Sequence, residues 1–405
     1  MKYLKSTPVQ IVIAVAFGIL VGLVFDGGAM KPFSEIGKML IHWVKLIAGP
    51  FLFLTIVHSI VEVQIRWRHG LKLVGIALVN MAIAIGIGMT LAYTFLFDVD
   101  RSSLPSGLKA HTSTLPTLSF ESWLKTLMPK SLFDPFVNND ILLIATLALL
   151  VGIAARKVIV EQRVLEQAKV MTVLERLRYI PAVMLTWLIR IIPAAVFAVV
   201  AGSVSEYGLD IFSSLATYVM TVWLGFLIQV SVVYGFWIFL VAKIKPKKFF
   251  SEARIPVLYS LGVNSSLATL PLTMKALDKL GISHRSSSLG AGVATNINND
   301  GIILYEALAV FFVAHLHGVQ MDPALMLSTI LACIVAALGI TGIPEAGFIS
   351  LSVVIATMGL PAESLPLLLA VDWIIARGRS AVNVLSDMTL SIALDAVDPG
   401  EKSAG

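Results

Sequence analysis

Charge is scarce in this sequence. Only 14% of its 405 residues are Asp, Glu, Lys or Arg, where a soluble domain carries about 25%, so no solvated surface can be built over most of the chain. Cysteine is nearly missing as well. Cys333 stands alone, which excludes an internal disulfide and any cysteine-based metal cluster and leaves a small packing residue. There is no His-Glu-x-x-His and no Gly-x-Ser-x-Gly, and His42, His58, His315 and His317 lack the i, i+4 pairing of a helical zinc site. An intramembrane enzyme, which needs a nucleophile with its base or a metal pair, has nothing to stand on. The repeated filter or ring-forming charged helix of an ion channel is also missing.

What is present is apolar. With 57% hydrophobic residues and a mean hydropathy of +0.89, the chain reads as an all-α polytopic membrane protein. The net charge of +5 sits mostly in short connections such as Arg66-Trp67-Arg68-His69 and the lysines of 243–248. That placement signals topology and not nucleic-acid binding. Apolar runs at 9–25, 36–62, 71–97, 179–204 and 215–242 approach or exceed the ~20 residues that cross a bilayer, whereas 141–155 is short and predicts a broken or supplemented span. Lys2 and Lys5 precede the first run and no small-residue cleavage site follows it, so a retained first helix is expected. Counting from a cytoplasmic N-terminus puts the basic segments 66–72, 156–178 and 243–248 on one side, as the positive-inside rule requires. Residues 101–138 predict a long external loop and 157–178 an amphipathic connection.

From residue 255 the pattern changes. The segment 255–277 has Gly262, Asn264, Ser265 and Ser266 at its middle, with apolar arms too short to span, which predicts a re-entrant hairpin. The run 289–314 is long enough to cross but is interrupted at Thr295-Asn296-Ile297-Asn298-Asn299-Asp300-Gly301. A second hairpin pattern follows at 325–367, around Gly339 to Gly347. Backbone left unpaired at membrane depth survives only where it lines a cavity, and short Gly/Pro-interrupted segments in two halves point to a transporter's binding site.

The last run, 367–395, carries ions where a membrane helix should carry none. On a helix, Asp372, Ala376, Arg379, Ser380, Asn383 and Asp387 share an arc of about a quarter turn. Ionisable groups at that depth face a partner, a water-filled cavity or an ion. The residues alone leave two readings: a salt-bridge network that holds helices together, or a binding site.

These stretches, in order, resemble the dicarboxylate/amino acid:cation symporter family, the glutamate and aspartate transporters and their bacterial relatives. The likeness is carried by Thr269-Leu270-Pro271-Leu272-Thr273-Met274; by Asn298-Asn299-Asp300-Gly301 with Leu304-Tyr305-Glu306-Ala307; by Gly342-Ile343-Pro344-Glu345-Ala346-Gly347; and by Asp372-Trp373 with Arg379-Ser380-Ala381-Val382-Asn383-Val384 and Asp387. Weaker echoes at Pro50 and at Ile192-Pro193-Ala194-Ala195-Val196-Phe197 extend it over nearly the whole chain. The resemblance implies about eight transmembrane helices plus two re-entrant hairpins in a glutamate-transporter-like elevator fold. Residues 1–245 would be mainly scaffold of a homotrimer in the cell membrane, and 246–395 the moving transport core with hairpins near 250–280 and 325–367. The third helix, 71–97, could belong to either part.

The resemblance also places a small carboxylate substrate among Ser265, Ser266, Gly342, Arg377, Arg379, Ser380 and Asn383. Arg379 stands where a guanidinium fork holds the substrate's side-chain carboxylate. Asn298, Asp300, Asn383 and Asp387 match or neighbour sodium ligands, the oxygens a hard cation wants. Glu306 matches the acid that carries a proton in proton-coupled members. No cofactor is implied beyond Na+ or H+ as coupling ions. Four residues retain a plain structural alternative: Ser265 and Ser266 as hairpin caps, Arg377 as half of an ion pair, and Glu306 as an ordinary helix residue.

Departures from the family pattern are informative. Asn299 replaces a methionine and Ile302 a threonine, Ile340 stands where a threonine usually serves sodium, and Ala84 and Ile85 occupy a place of hydroxyl residues. Two of the usual three sodium sites are thereby in doubt, and Asp300 and Asp372 remain as intramembrane acids. Ala376 replaces the aspartate that holds an amino group, so a C4-dicarboxylate is favoured over an acidic amino acid. The alternative is a divergent member that is not sodium-coupled: an ion-independent carrier, an anion channel or a non-transporting binding protein.

Overall fold

The computed structural model describes residues 7–25, 67–96, 131–137, 141–160, 164–207, 211–293, 295, 298–339, 346–361 and 364–398, with isolated positions between 32 and 61. Part of the second predicted span, most of the loop at 101–138 and the tip of the second hairpin, Gly342 included, lie outside the described residues; the described positions of that span, among them 53–58, are helical. Every regular element described is helical.

Helix α1, Thr7–Val24, packs along α4, Val164–Tyr207. The contact is set by Gly18 and Gly22, four residues apart on one face. A Cβ on Gly18 would lie 3.0 Å from the Phe197 carbonyl oxygen, and one on Gly22 2.6 Å from Val204 Cβ and 2.7 Å from the Ala201 carbonyl oxygen. Lipid tails are as apolar as side chains, so membrane helices associate through close backbone approach at small residues. Gly22→Leu is expected to separate the pair, at a cost of about 1–3 kcal/mol for forced repacking; a lowered thermal midpoint of the purified protein is the measurement.

Helix α2 is Trp67–Leu91, prolonged by a wide i→i+5 turn at Ala92–Leu96. Helix α3 is Ile141–Val160, with 20 residues. Of the two alternatives the supplemented one holds: the helix continues past 155 through Arg156 and Lys157 to Val160. The segment expected as a separate connection before 179 is likewise part of α4, which runs unbroken for 44 residues with Pro181 and Pro193 inside it.

Helix α5, Ile211–Ile228, continues in two wide turns, Gln229–Tyr234 and Phe236–Val241. Helices α6, Pro246–Val263, and α7, Ser266–Leu280, pack on one another as a helical hairpin. Its reversal is made by Asn264, in the left-handed conformation (φ 53°) with its N–H on the Ser260 carbonyl; asparagine tolerates that conformation better than most side chains. After a wide turn at Ser288–Val293 the chain breaks, and α8 begins at Asp300 and runs to Leu316. The predicted interruption is thus present, with a helical restart at the aspartate.

Every residue of α8 is buried. A helix apolar all round belongs inside a protein, and α8 is the central post against which α2, α5, α9, α10 and α11 pack. Helices α9, Pro323–Gly339, and α10, Ala346–Thr357, form a second packed pair. At the start of α9 the Asp322 carboxylate accepts the Leu325 N–H at 2.7 Å, a side-chain cap with proline in the first turn. Helix α11, Leu365–Val397, is 33 residues long and lies against α5, α6, α7 and α8. Among the described residues three stretches, Lys72–Leu96, Leu215–Val241 and Leu367–Val397, are long and apolar enough to cross a bilayer, and the last of them carries the polar arc.

Candidate functional site

The polar arc of α11 faces inward. Asp372, Arg379, Ser380, Asn383 and Asp387 are all buried, and their partners come from the broken segment before α8 and from both helix pairs. Arg379 Nη1 lies 3.1 Å from Asp372 Oδ1, with both side chains under 5% exposed. Its guanidinium also stands over the Tyr305 ring, 4.8 Å from the centroid, a cation–π contact strengthened by desolvation. Its other face is covered by Gly347, the second residue of α10, where an added Cβ would come within 2.1 Å of Arg379 Cζ. A side chain there would displace the guanidinium from this position. The single apolar position of the arc, Ala376, is 1% exposed.

At the first hairpin, Ser380 Oγ donates to Asn264 Oδ1 at 2.7 Å, which ties the reversal to α11. Ser265 and Ser266 are half-buried beside it. Arg377, expected to reach either substrate or a carboxylate, donates to the Leu261 carbonyl at 2.6 Å and the Gly262 carbonyl at 3.3 Å. It caps the C-terminal end of α6, where orphan carbonyls and the helix dipole favour a cation.

One turn further along α11 the structure gathers oxygen-bearing side chains. Asn383 Oδ1 accepts the Gly301 N–H at 2.9 Å and thereby fastens the first turn of α8; its amide nitrogen reaches Asn299 Oδ1 at 3.4 Å. Asn299 in turn donates to the Ala337 carbonyl at 3.0 Å. Asp387 Oδ2 accepts from Thr295 at 2.8 Å, while Asn298 Nδ2 donates to Ser386 Oγ at 2.7 Å. Asp300 Oδ2 accepts from Ser386 at 2.6 Å, Tyr234 at 2.9 Å and Gln229 at 3.4 Å. Three buried oxygens, Asn298 Oδ1, Asp300 Oδ1 and Asp387 Oδ1, have no hydrogen-bond partner. Buried acceptors without donors are what a desolvated cation would satisfy. Among the described residues no three His, Cys, Asp or Glu side chains cluster as a metal site, so the donor set is one of mixed amide and carboxylate oxygens.

Glu306 is fully buried in α8 beside the equally buried Ser350, and neither of its carboxylate oxygens meets a well-aligned hydrogen-bond donor. Ala84 and Ile85 of α2 are buried too and supply no polar side chain. The sequence reading missed Thr295, Ser386, Gln229 and Tyr234 as members of this network. Ser386 lies only ~20° beyond the edge of the polar arc, a signal that was available; Gln229 and Tyr234 are spaced for no α-helical face and gave none.

Residues 8–397 match the profile of the Sodium:dicarboxylate symporter family. The C4-dicarboxylate transport protein 1 of Pseudomonas paraeruginosa is 28% identical over 411 residues, 96% of this chain and 88% of that one. The C4-dicarboxylate transport protein of Bacillus subtilis is 28% identical over 410 residues, covering 96% and 92%. Excitatory amino acid transporter 1 of Homo sapiens is 34% identical over 199 residues, 48% of this chain and 36% of the human protein.

Proposed function

Because the chain belongs to the Sodium:dicarboxylate symporter family, a family of membrane transporters and not enzymes, we propose that it carries a small C4-dicarboxylate across the cell membrane together with Na+ or H+. The observation that carries this reading is the division of labour along α11. A buried guanidinium at Arg379 and a buried, partly unsatisfied carboxylate at Asp387 stand two turns apart on one face. One attracts an anion and the other a cation, so the two cargoes neutralise each other's desolvation.

In this reading one substrate carboxylate meets Arg379, with Ser265, Ser266, Ser380 and the 342 region of the second hairpin closing around it. The cation binds on Asp387 with Asn298, and Glu306, buried beside Ser350, is the candidate proton carrier. Two relatives are named as C4-dicarboxylate transporters, and Ala376 offers no counter-ion for an amino group, which supports a dicarboxylate over an amino acid. A homotrimer with a scaffold from 1–245, a transport core from 246–395 moving as an elevator, re-entrant hairpins and a cytoplasmic N-terminus follow from the family resemblance.

A second reading, a carrier without sodium coupling, is favoured by the apolar Ala84, Ile85 and Ile302 where oxygen ligands would complete further cation sites. Uptake of labelled succinate, fumarate, malate and aspartate into proteoliposomes, with sodium and proton gradients imposed separately, decides between them. Sodium-driven dicarboxylate uptake is expected. Micromolar aspartate uptake with no dicarboxylate uptake would overturn the substrate assignment, and uptake indifferent to sodium would favour the second reading.

A further inference from the structure

Beyond α5 the chain meets a membrane surface, because the stretch Leu215–Val241 is long and apolar enough to cross. Lys243, just past it, holds the left-handed conformation (φ 56°), which L side chains rarely adopt, and turns the chain toward α6. Lys245 precedes that helix in an extended conformation and Pro246 opens it. Helix α6 then has two faces. Phe249, Ala253, Pro256 and Ser260, three or four residues apart, are buried and form one face, packed on α7 and α11. On the opposite side Lys247, Arg254 and Leu258 fall within ~40° of one another, and all three are exposed. Phe250 and Ile255 flank them at 55% and 50% exposure, and Leu258 itself is 67% exposed.

The charges near this face are sorted. Lys248 donates to the Leu280 carbonyl at 3.2 Å, and Glu252 pairs with Lys279 at 3.3 Å; both lie 100° or more round the helix from Lys247, on the flank toward α7. Among the described residues Lys243, Lys245, Lys247 and Arg254 have no ion pair and no side-chain hydrogen bond. A topology signal needs only a number of cations. It does not need them unpaired and continuous with an exposed apolar stripe. Helix side chains tilt toward the N-terminus, so Arg254, ~10 Å along the axis from Lys247, leans back toward the lysines with its stem over apolar surface, while Leu258 lies deeper. Cations at the surface with an apolar stripe beneath them match a phospholipid whose head carries net negative charge. A nucleic acid or an acidic peptide would meet the charges and leave the stripe uncovered. We infer that the outer face of α6 binds an anionic phospholipid, its headgroup held by Lys243, Lys245, Lys247 and Arg254 and its acyl chains laid along Ile255 and Leu258. Such a lipid braces the first hairpin from the side away from α11, and it does so whichever cargo and coupling ion the protein carries.

The test is the thermal midpoint of the purified full-length protein, stripped of lipid in a neutral detergent and titrated with dioleoyl phosphatidylglycerol, dioleoyl phosphatidylcholine or inorganic phosphate. Phosphatidylglycerol is expected to raise the midpoint along a saturating curve, at concentrations where the other two do not. Lys247→Gln and Arg254→Gln each need about fivefold more phosphatidylglycerol for half of the effect, and the pair about 30-fold, as follows from about 1 kcal/mol per cation near a membrane surface. Leu258→Gln changes no charge and weakens the response about three- to tenfold, the worth of a half-covered leucine. All three positions are exposed, so the lipid-free midpoint stays near that of the wild type. Lys157→Gln with Lys169→Gln removes the same charge from exposed positions on α3 and α4 and leaves the response unchanged. An equal loss in that control would make the effect a diffuse attraction to a basic surface and overturn the site. So would a midpoint indifferent to phosphatidylglycerol, a response matched by phosphatidylcholine, or one reproduced by phosphate. If Leu258→Gln alters the particle mass in light scattering and leaves the lipid response unmoved, the stripe joins copies of this chain and the lipid assignment is wrong.

Discussion

Replacing Arg379 with alanine is expected to abolish dicarboxylate uptake, by a factor of about 100 or more. The guanidinium is buried against Asp372 at 3.1 Å and over Tyr305, and removing one partner of a buried pair costs about 3–5 kcal/mol because the other charge is stranded. That loss mixes two effects, damage to the fold and loss of the substrate's anchor. The double variant Arg379→Ala with Asp372→Asn separates them. It removes the stranded charge, so the thermal midpoint should recover most of its loss while uptake stays absent. Arg379→Lys keeps a positive charge but gives up the planar fork, and uptake should be weak with a raised KM. If the double variant instead regains uptake, Arg379 is only half of a structural ion pair and the substrate assignment is wrong.

Installing an aspartate at position 376 is expected to reverse substrate preference. Ala376 lies within the same arc as Arg379 and Asn383 and is buried, so Ala376→Asp adds an anion beside the substrate, one turn from an Arg379 guanidinium that already pairs with Asp372 and that the new carboxylate would compete for. A dicarboxylate, already doubly negative, is repelled. An amino-acid substrate gains a charge-assisted hydrogen bond worth about 1.5–3 kcal/mol, which corresponds to a shift of about 10- to 150-fold in the aspartate-to-succinate ratio. Competition of unlabelled aspartate and succinate against labelled substrate, compared between wild type and variant, reads that ratio directly. An unchanged ratio in a folded variant would mean that the substrate does not approach this turn of α11. A lowered thermal midpoint is expected in substrate-free protein and should be relieved more by aspartate than by succinate.

The parts of the fold legible beforehand were those where membrane physics leaves few choices. An apolar run too short to span, with Asn264 and serines at its centre, had to turn back, and it does so at Asn264. An interrupted run with three amides and an aspartate had to line something, and α8 restarts at Asp300 against the arc of α11. Helix ends were less legible. Lysine and arginine stems extend beyond the apolar core, so hydropathy ended α3 early, and the amphipathic stretch before 179 looked like a separate element although it continues into α4. The pair Gly18 and Gly22 was readable as a packing motif and was passed over.

Within the site, the ions and amides of α11 were visible from their 100° periodicity, but their partners were not. Tyr234 and Gln229 reach Asp300 only because α5 opens into a wide turn, and no hydrophobic period announces such a turn. Arg377 shows the opposite case. Its position suggested substrate or a carboxylate as partner, and the structure adds two backbone carbonyls at the end of α6, acceptors that leave no trace in a side-chain pattern.

The contact between Gly347 and Arg379 also constrains how this sequence can change. A hydrogen is the largest substituent that position 347 can carry while the guanidinium keeps its place. The two positions sit on different helices, yet neither is free to vary alone. Any residue larger than glycine at 347 makes the flexible end of Arg379 swing aside, and a guanidinium that swings aside leaves Asp372 without its counter-ion. A change at 347, on a helix that carries no charge of its own in this site, would therefore be felt first as a change in the charge balance of α11.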